Sequence, residues 1–324
     1  MLGELIAISA VLTFVSSNVI FRKTEHEVSP TYINFFRTGI GTLTFILIIL
    51  FFNLLDIVFM IPWELWLLLI LSFIFGQVIG DTAYFTAQKE LGTTIALAIS
   101  MTFPLFTFIL SLIFLKRPFK FTLILSLLLI GIGITIIGKS KIKSENFEYE
   151  KDSAFKKSIK VRIQDIIGAD FIKAAFFCLT ASLGWAIGAV LIDFATVQID
   201  QITHMEELSS VIGNAIRFPF ALIILSSMVW REKRMKKRNN TINQKISPRI
   251  WILLVIASII GTSLGAYLYT ESVHLAGANV VALIASAAPL FALPLTYFIN
   301  KEKITKLGFV GVILTVLGII FILI

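Results

Sequence analysis

Charge is scarce in this sequence. Only 15% of its 324 residues are Asp, Glu, Lys or Arg, where a water-soluble domain carries about 25%. Cysteine occurs once, as Cys178 inside an apolar run, which excludes a disulfide framework and a thiolate metal cage. His26, His204 and His274 are too scattered for a metal-ligand spacing or a Ser/His/Asp order. No HExxH occurs. No metal, cofactor or catalytic residue is therefore expected. Apolar residues fill the space instead: 57% of the chain is hydrophobic, with 29 Phe and a mean hydropathy of +0.92. Such a chain cannot hide its apolar residues from water, so the bilayer is its expected solvent.

The net charge of +8 raises the question of nucleic acid. The basic residues, however, sit between apolar runs, the ordinary bias of cytoplasmic loops. Membrane lipid is the expected partner, and nucleic acid is not. One motif is a coincidence. Gly133-x4-Gly138-Lys139-Ser140 fits the P-loop pattern letter for letter. A P-loop needs a strand before it and a phosphate-cradling turn, whereas Ile134, Thr135, Ile136 and Ile137 end a membrane-type run.

A helix needs about 20 apolar residues to cross the hydrocarbon. Ten runs qualify: 2–22, 31–52, 64–86, 92–115, 119–138, 169–192, 207–230, 250–273, 277–299 and 304–324. Backbone groups in lipid must pair within a segment, so helices rather than open sheet are expected. The fold class is an all-α integral membrane protein of ten transmembrane helices. The first run lacks a basic n-region and is too long for an h-region, so it reads as a span rather than a cleaved signal. A polar linker, 139–168, separates residues 1–138 from 169–324. A second polar loop, Arg231 to Arg249, lies between the seventh and eighth runs.

Lys and Arg set the orientation. Alternate loops carry 23 of them on one side and 3, namely Lys116, Arg117 and Lys120, on the other. The rich side is expected to be cytoplasmic, in a multi-pass cell-membrane protein with both termini on the non-cytoplasmic side.

The chain repeats itself. Gly76, Gly80, Tyr84, Gly92 and Pro104-Leu105-Phe106 recur 185 residues later as Gly261, Gly265, Tyr269, Gly277 and Pro289-Leu290-Phe291. Asn34-x-x-Arg37 recurs at 180 as Asn214-x-x-Arg217, and Ala10-x-Leu12-x-Phe14 at 171 as Ala181-x-Leu183-x-Trp185. Each half holds five runs. An odd number places the second copy upside down, and transporters built from inverted repeats bind substrate near the midplane between the halves.

Two five-helix repeats, an aromatic or small patch in each first helix, an Arg in each second helix and a Pro-Leu in each fourth resemble the EamA-type drug/metabolite transporters. The resemblance covers the chain apart from the linker. It makes 1–138 and 169–324 two EamA-like repeats. It implies export or exchange of small metabolites, amino acids among them, without ATP hydrolysis. The sequence departs from the family's pattern in two places. The common Trp-Gly of the first helix is Phe14-Val15 and Trp185-Ala186, and the Glu after the fourth helix is Glu302 in one copy but Lys116-Arg117 in the other.

Ionisable groups inside spans invite a functional explanation. Asp81, after Gly80 in the third run, suits a proton or a cationic substrate group, or else an ion pair at the rim with Lys89. Glu271 is similar on the eighth run. Arg37 and Arg217 lie about two turns from opposite surfaces and suit a substrate carboxylate or a structural ion pair. Gln77 and Tyr84 in one half, and Tyr267 in the other, join them as candidate substrate contacts. Trp185 suits stacking on an aromatic substrate or core packing. Gly76-x-x-x-Gly80 and Gly261-x-x-x-Gly265 read as helix seams. Pro104 and Pro289 read as kinks that free carbonyls.

The expectation is a secondary transporter with a cavity lined by spans 1, 3, 4, 6, 8 and 9. It works as a monomer or weak homodimer, with protons as the candidate coupling ion. The alternatives are a membrane enzyme acting on lipid-linked substrates and a channel. The first needs convergent acids or His residues at one interface, and the second a continuous polar stripe along a helix. The chain has neither.

Overall fold

The computed structural model describes residues 1–24, 26–91, 99–100, 102–114, 169–205, 208–238 and 246–288, together with Ala96 and scattered positions in 121–136 and 290–321. Every regular element among them is helical. The first half contributes α1 (Leu2–Arg22), α2 (Pro30–Phe51), α3 (Leu55–Met60), α4 (Trp63–Phe73), a π-helical stretch (Ile74–Asp81), α5 (Thr82–Leu91) and α6 (Phe103–Phe114). The second contributes α7 (Ala169–Thr203), α8 (Ser209–Arg238), α9 (Pro248–Ser258), a π-helical stretch (Ile259–Leu264), α10 (Gly265–Ala276) and α11 (Ala278–Ser286). The expected linker 139–168 lies outside the described residues.

Six continuous helical stretches are long and apolar enough to cross a membrane, and they coincide with the first, second, third, sixth, seventh and eighth apolar runs. The fourth and ninth runs are described in part, as α6 and α11. The fifth and tenth lie mostly outside the described residues. The distribution of polarity fits a bilayer. Ile113, Phe114, Phe176, Ile223 and Ile252 face outward, each more than half exposed, while Asn18, Asn34, Asp193, Thr196 and Asn214 are buried. A water-soluble protein has the reverse arrangement.

Local chemistry sets the helix ends. α2 and α9 start with the same device: Ser29 and Ser247 accept the backbone N–H of Tyr32 and Ile250 at 3.2 and 3.4 Å, and a proline follows each serine. A serine N-cap satisfies an orphan donor, and proline at the first position gives up an N–H that has no helical partner. Gly277, at φ 84°, makes the abrupt link from α10 to α11 in a backbone region that a side chain disfavours. Two features depart from the apolar pattern. A short helix, α3, fills the loop after the second run, entered through Asn53 at φ 53°. α7 and α8 both outrun their apolar stretches, to Thr203 and Arg238. The end of α8 is rich in Lys and Arg, which form helix readily.

Packing exchanges partners between the halves. α1 lies on the second π-helical stretch and α10, and α7 lies on the first π-helical stretch with α4 and α5. The second helices, α2 and α8, pack on each other, as do α6 and α11. Lipid is as apolar as leucine, so close packing and interhelical hydrogen bonds hold such helices together. Small residues make the approach possible. A Cβ at Gly184 would lie 2.4 Å from the Phe75 carbonyl oxygen, and one at Gly188 would lie 2.8 Å from that of Ser72. In the matching place of the other pair, a Cβ at Gly265 would meet Thr13 Oγ1 at 2.8 Å.

Candidate functional site

A cavity of about 160 Å³ lies where these crossings meet. A water needs about 10–15 Å³ of such volume, so the space suits a small organic molecule. Its wall draws on the six spans expected from the sequence, and also on α2 and α8 through one residue each, Arg37 and Arg217. Both π-helical stretches contribute, at equivalent positions 185 residues apart. An extra residue in a helical turn re-aims the side chains around it, which is why such turns recur at functional sites.

On the first half's side, Arg37 Nη2 donates to Asp81 Oδ2 at 2.6 Å, and Trp185 Nε1 from the other half donates to Asp81 Oδ1 at 2.8 Å. Arg37 is 7% exposed and Asp81 6%. The guanidinium also lies 5.4 Å from the Phe85 ring centroid. Asn34, one turn earlier on α2, anchors the helix by donating to the Gln77 carbonyl at 2.7 Å and to Thr82 Oγ1 at 2.9 Å. Gln77 Nε2 donates to Thr38 Oγ1. Each carboxylate oxygen thus has a donor, the condition under which a buried ion pair is tolerated.

The second half's side is built differently. Asn214 Oδ1 accepts from Arg217 Nε at 3.0 Å and Nη2 at 2.6 Å, and Nη2 also donates to Thr270 Oγ1 at 2.7 Å. The guanidinium stacks 4.8 Å from the Phe73 ring centroid, a contact that crosses between the halves. No carboxylate among the described residues lies within ion-pair distance of Arg217, which is 2% exposed. The position that matches Asp81 is Ala266, so the counter-ion of the first copy is missing from the second.

Aromatic rings form the remaining wall. Trp185 meets Phe14 edge-on at 6.3 Å and Phe103 at 6.2 Å. Gly80 lets the indole lie against the third run, since a Cβ there would be 2.9 Å from Trp185 Cδ1.

The cavity brings together Arg37, Gln77, Asp81, Trp185, Arg217, Gly76, Gly261 and Gly265. Other candidate residues lie off its lining. Tyr84 is fully buried behind Phe14 and Trp185, at 6.3 and 5.3 Å between rings. Tyr267 packs against the core around Phe218, and Glu271 is buried. Asp81 pairs with Arg37 rather than with Lys89. Pro104 stands in the first turn of α6, after a turn at Thr102 that follows helical Ile99 and Ser100. Pro289 lies outside the described residues. Thr262 and Tyr269, polar neighbours of the second glycine seam, do line the wall, whereas Phe73 in the wall and Thr270 behind Arg217 were not anticipated from the sequence. The periodicity carried a signal. Thr262, Gly265, Ala266 and Tyr269 are one helix face by their spacing of three and four, and Tyr267 and Glu271 fall off it.

A body of apolar helices around a central, mostly apolar cavity with a few charged side chains in its wall fits a multi-pass membrane transporter. Comparison with known proteins agrees. The chain belongs to the EamA-like transporter family, which matches residues 1–139 and 172–324. It is 23% identical over 323 residues to an uncharacterized transporter of Archaeoglobus fulgidus, covering 100% of this chain and 98% of that one. A crystal structure of a protein 13% identical shares the fold, with a TM-score of 0.70 over 98% of this chain and 96% of that chain.

Proposed function

We propose that the protein is a secondary transporter in which two five-helix repeats of opposite orientation alternate access to the central cavity. Its cargo is a small metabolite, with amino acids the class the family resemblance implies. The observation that carries this reading is the pairing of α2 with α8. Ser29 Oγ donates to Glu232 Oε2 at 2.9 Å, so the start of α2 lies beside the end of α8. Equivalent helices that run in opposite directions are what an inverted repeat requires. Arg37 and Arg217 each stand about 10–12 Å inside the N-terminal end of their helix, from a rise of 1.5 Å per residue, and because the two helices run in opposite directions they approach one cavity from opposite sides. Rocking of the halves would present that cavity to each side in turn. Asp81 is the candidate proton carrier, because its ionisation governs the Arg37 pair. The protein acts as a monomer or weak homodimer among membrane lipids.

Reconstitution tests this. Purified protein in proteoliposomes preloaded with unlabelled solute is expected to accumulate labelled solute by counterflow, without ATP. Absence of counterflow over a broad metabolite panel, with lipid turnover in its place, would overturn the reading in favour of a membrane enzyme. An Asp81→Asn variant is expected to lose pH-driven uptake beyond any loss of counterflow that the unpaired Arg37 brings. Full pH-driven uptake by that variant would remove the coupling role.

A further inference from the structure

We infer that the cavity selects a small organic monoanion, a carboxylate on an apolar or aromatic body, and that Arg217 holds its head group. This rests on the transport reading above and narrows its small-metabolite cargo away from the zwitterionic amino acids that the family resemblance implies.

The charge of the wall argues for it. Among the described residues, three charged side chains line the cavity: Arg37, Asp81 and Arg217. Arg37 and Asp81 neutralise each other at 2.6 Å. Arg217 remains, buried and with no carboxylate of a described residue within ion-pair distance. Asp193 and Glu271 are also buried but do not line the space, and Asp193 Oδ2 accepts the Ala278 backbone N–H at 2.8 Å. Among the described residues, the wall therefore carries one positive charge with no carboxylate in contact. Asn214 and Thr270 fix Nε and Nη2 of Arg217, leaving Nη1 with no hydrogen bond to a described residue. A guanidinium held in this way is pre-set to bind a carboxylate. Two further polar groups share its wall. Thr262 Oγ1 is buried with no partner among the described residues, and Tyr269 is within electrostatic reach of Arg217.

The same wall disfavours an ammonium group. The carboxylate that could receive one, Asp81, has one oxygen taken by Arg37 and the other by Trp185. A zwitterion would have to bury its cation unpaired, which is strongly unfavourable. Phe14, Phe73, Phe103 and Trp185 leave an apolar space for the rest of the molecule. The preferred cargo thus resembles an amino acid from which the amino group has been removed.

Three probes that share one ring and chain separate the possibilities: 3-phenylpropionate, phenylalanine and 2-phenylethylamine. Binding to the purified full chain is measured by titration calorimetry, and transport by counterflow. 3-Phenylpropionate is expected to bind about a hundredfold more tightly than the other two. Arg217→Gln should weaken it about a hundredfold, and Arg217→Lys about tenfold, because lysine keeps the charge but not the planar fork. An unchanged thermal midpoint of each ligand-free variant shows that it folds. Equal or tighter binding of phenylalanine or phenylethylamine, or no binding of 3-phenylpropionate, overturns the inference. Counterflow of phenylalanine would then leave the transport reading standing. Binding of 3-phenylpropionate without its counterflow keeps the anion site and overturns its assignment as cargo, while the transport reading is decided by the broad panel above.

Discussion

The indole nitrogen of Trp185 donates to Oδ1 of Asp81 at 2.8 Å, and so ties the first helix of the second half to the third run of the first. The bond fixes the indole against Gly80 and orients the carboxylate that neutralises Arg37. It also leaves only the ring of Trp185 to face a ligand.

Trp185→Phe keeps most of the ring and removes the donor. An interhelical hydrogen bond in a membrane protein is worth about 1–2 kcal/mol at most, so a modest fall in thermal midpoint is expected in detergent. Counterflow should survive with a raised KM, because the aromatic wall remains while Asp81 gains freedom. A variant as stable as the parent with an unchanged KM would show that this bond positions nothing.

The Arg37–Asp81 pair should show strong coupling in a double-mutant cycle. Asp81→Asn leaves Arg37 buried without a counter-ion, and breaking such a pair costs about 3–5 kcal/mol. Arg37→Gln alone should be similarly damaging. The double variant removes both charges and should recover most of the loss. Additive single effects in chemical unfolding would mean that the two charges do not stabilise each other.

The glycine seams are expected to be unequal. A Cβ at Gly184 would sit 2.4 Å from the Phe75 carbonyl oxygen, a backbone atom that cannot turn away. At Gly76 the nearest atom is Gly188 Cα at 3.8 Å, an ordinary contact. Gly184→Ala should therefore force α7 away from the third run and lower the thermal midpoint, while Gly76→Ala should be nearly neutral. Gly261→Ala should resemble Gly184→Ala, because Ser17 Oγ at 2.1 Å can turn away but Ser17 Cβ at 2.4 Å is fixed to the α1 backbone. Equal midpoints for the Gly184 and Gly76 variants would rule out this account of the seam.

Much of this site was legible in the sequence, because the duplication marks equivalent positions. Asn34 with Arg37 and Asn214 with Arg217 could be paired before any geometry was known, and so could Asp81 with its missing counterpart Ala266. What could not be read depends on contacts between distant segments. Phe73 stacks on Arg217 across the halves, and Thr270 takes the place of Phe85, which lies against Arg37 in the other copy. The π-helical stretches carry no composition that sets them apart from ordinary apolar helix. The expectations for Tyr267 and Glu271 rested on their chemistry, and helix phase turns both away from the cavity.

The sidedness expected from loop charge can be tested directly. The 23-to-3 bias of Lys and Arg predicts that the loop after α8 is cytoplasmic and the start of α4 outside. Cys178 is fully buried, so a single introduced cysteine can be labelled against a silent background. Glu64 and Met235 are both exposed and lie on opposite expected sides. Glu64→Cys should react with a membrane-impermeant maleimide in intact cells, and Met235→Cys only after permeabilisation. The reverse pattern would turn the molecule over, placing both termini in the cytoplasm. The pairing of α2 with α8 would be untouched, because contacts between helices do not depend on which side of the membrane each faces.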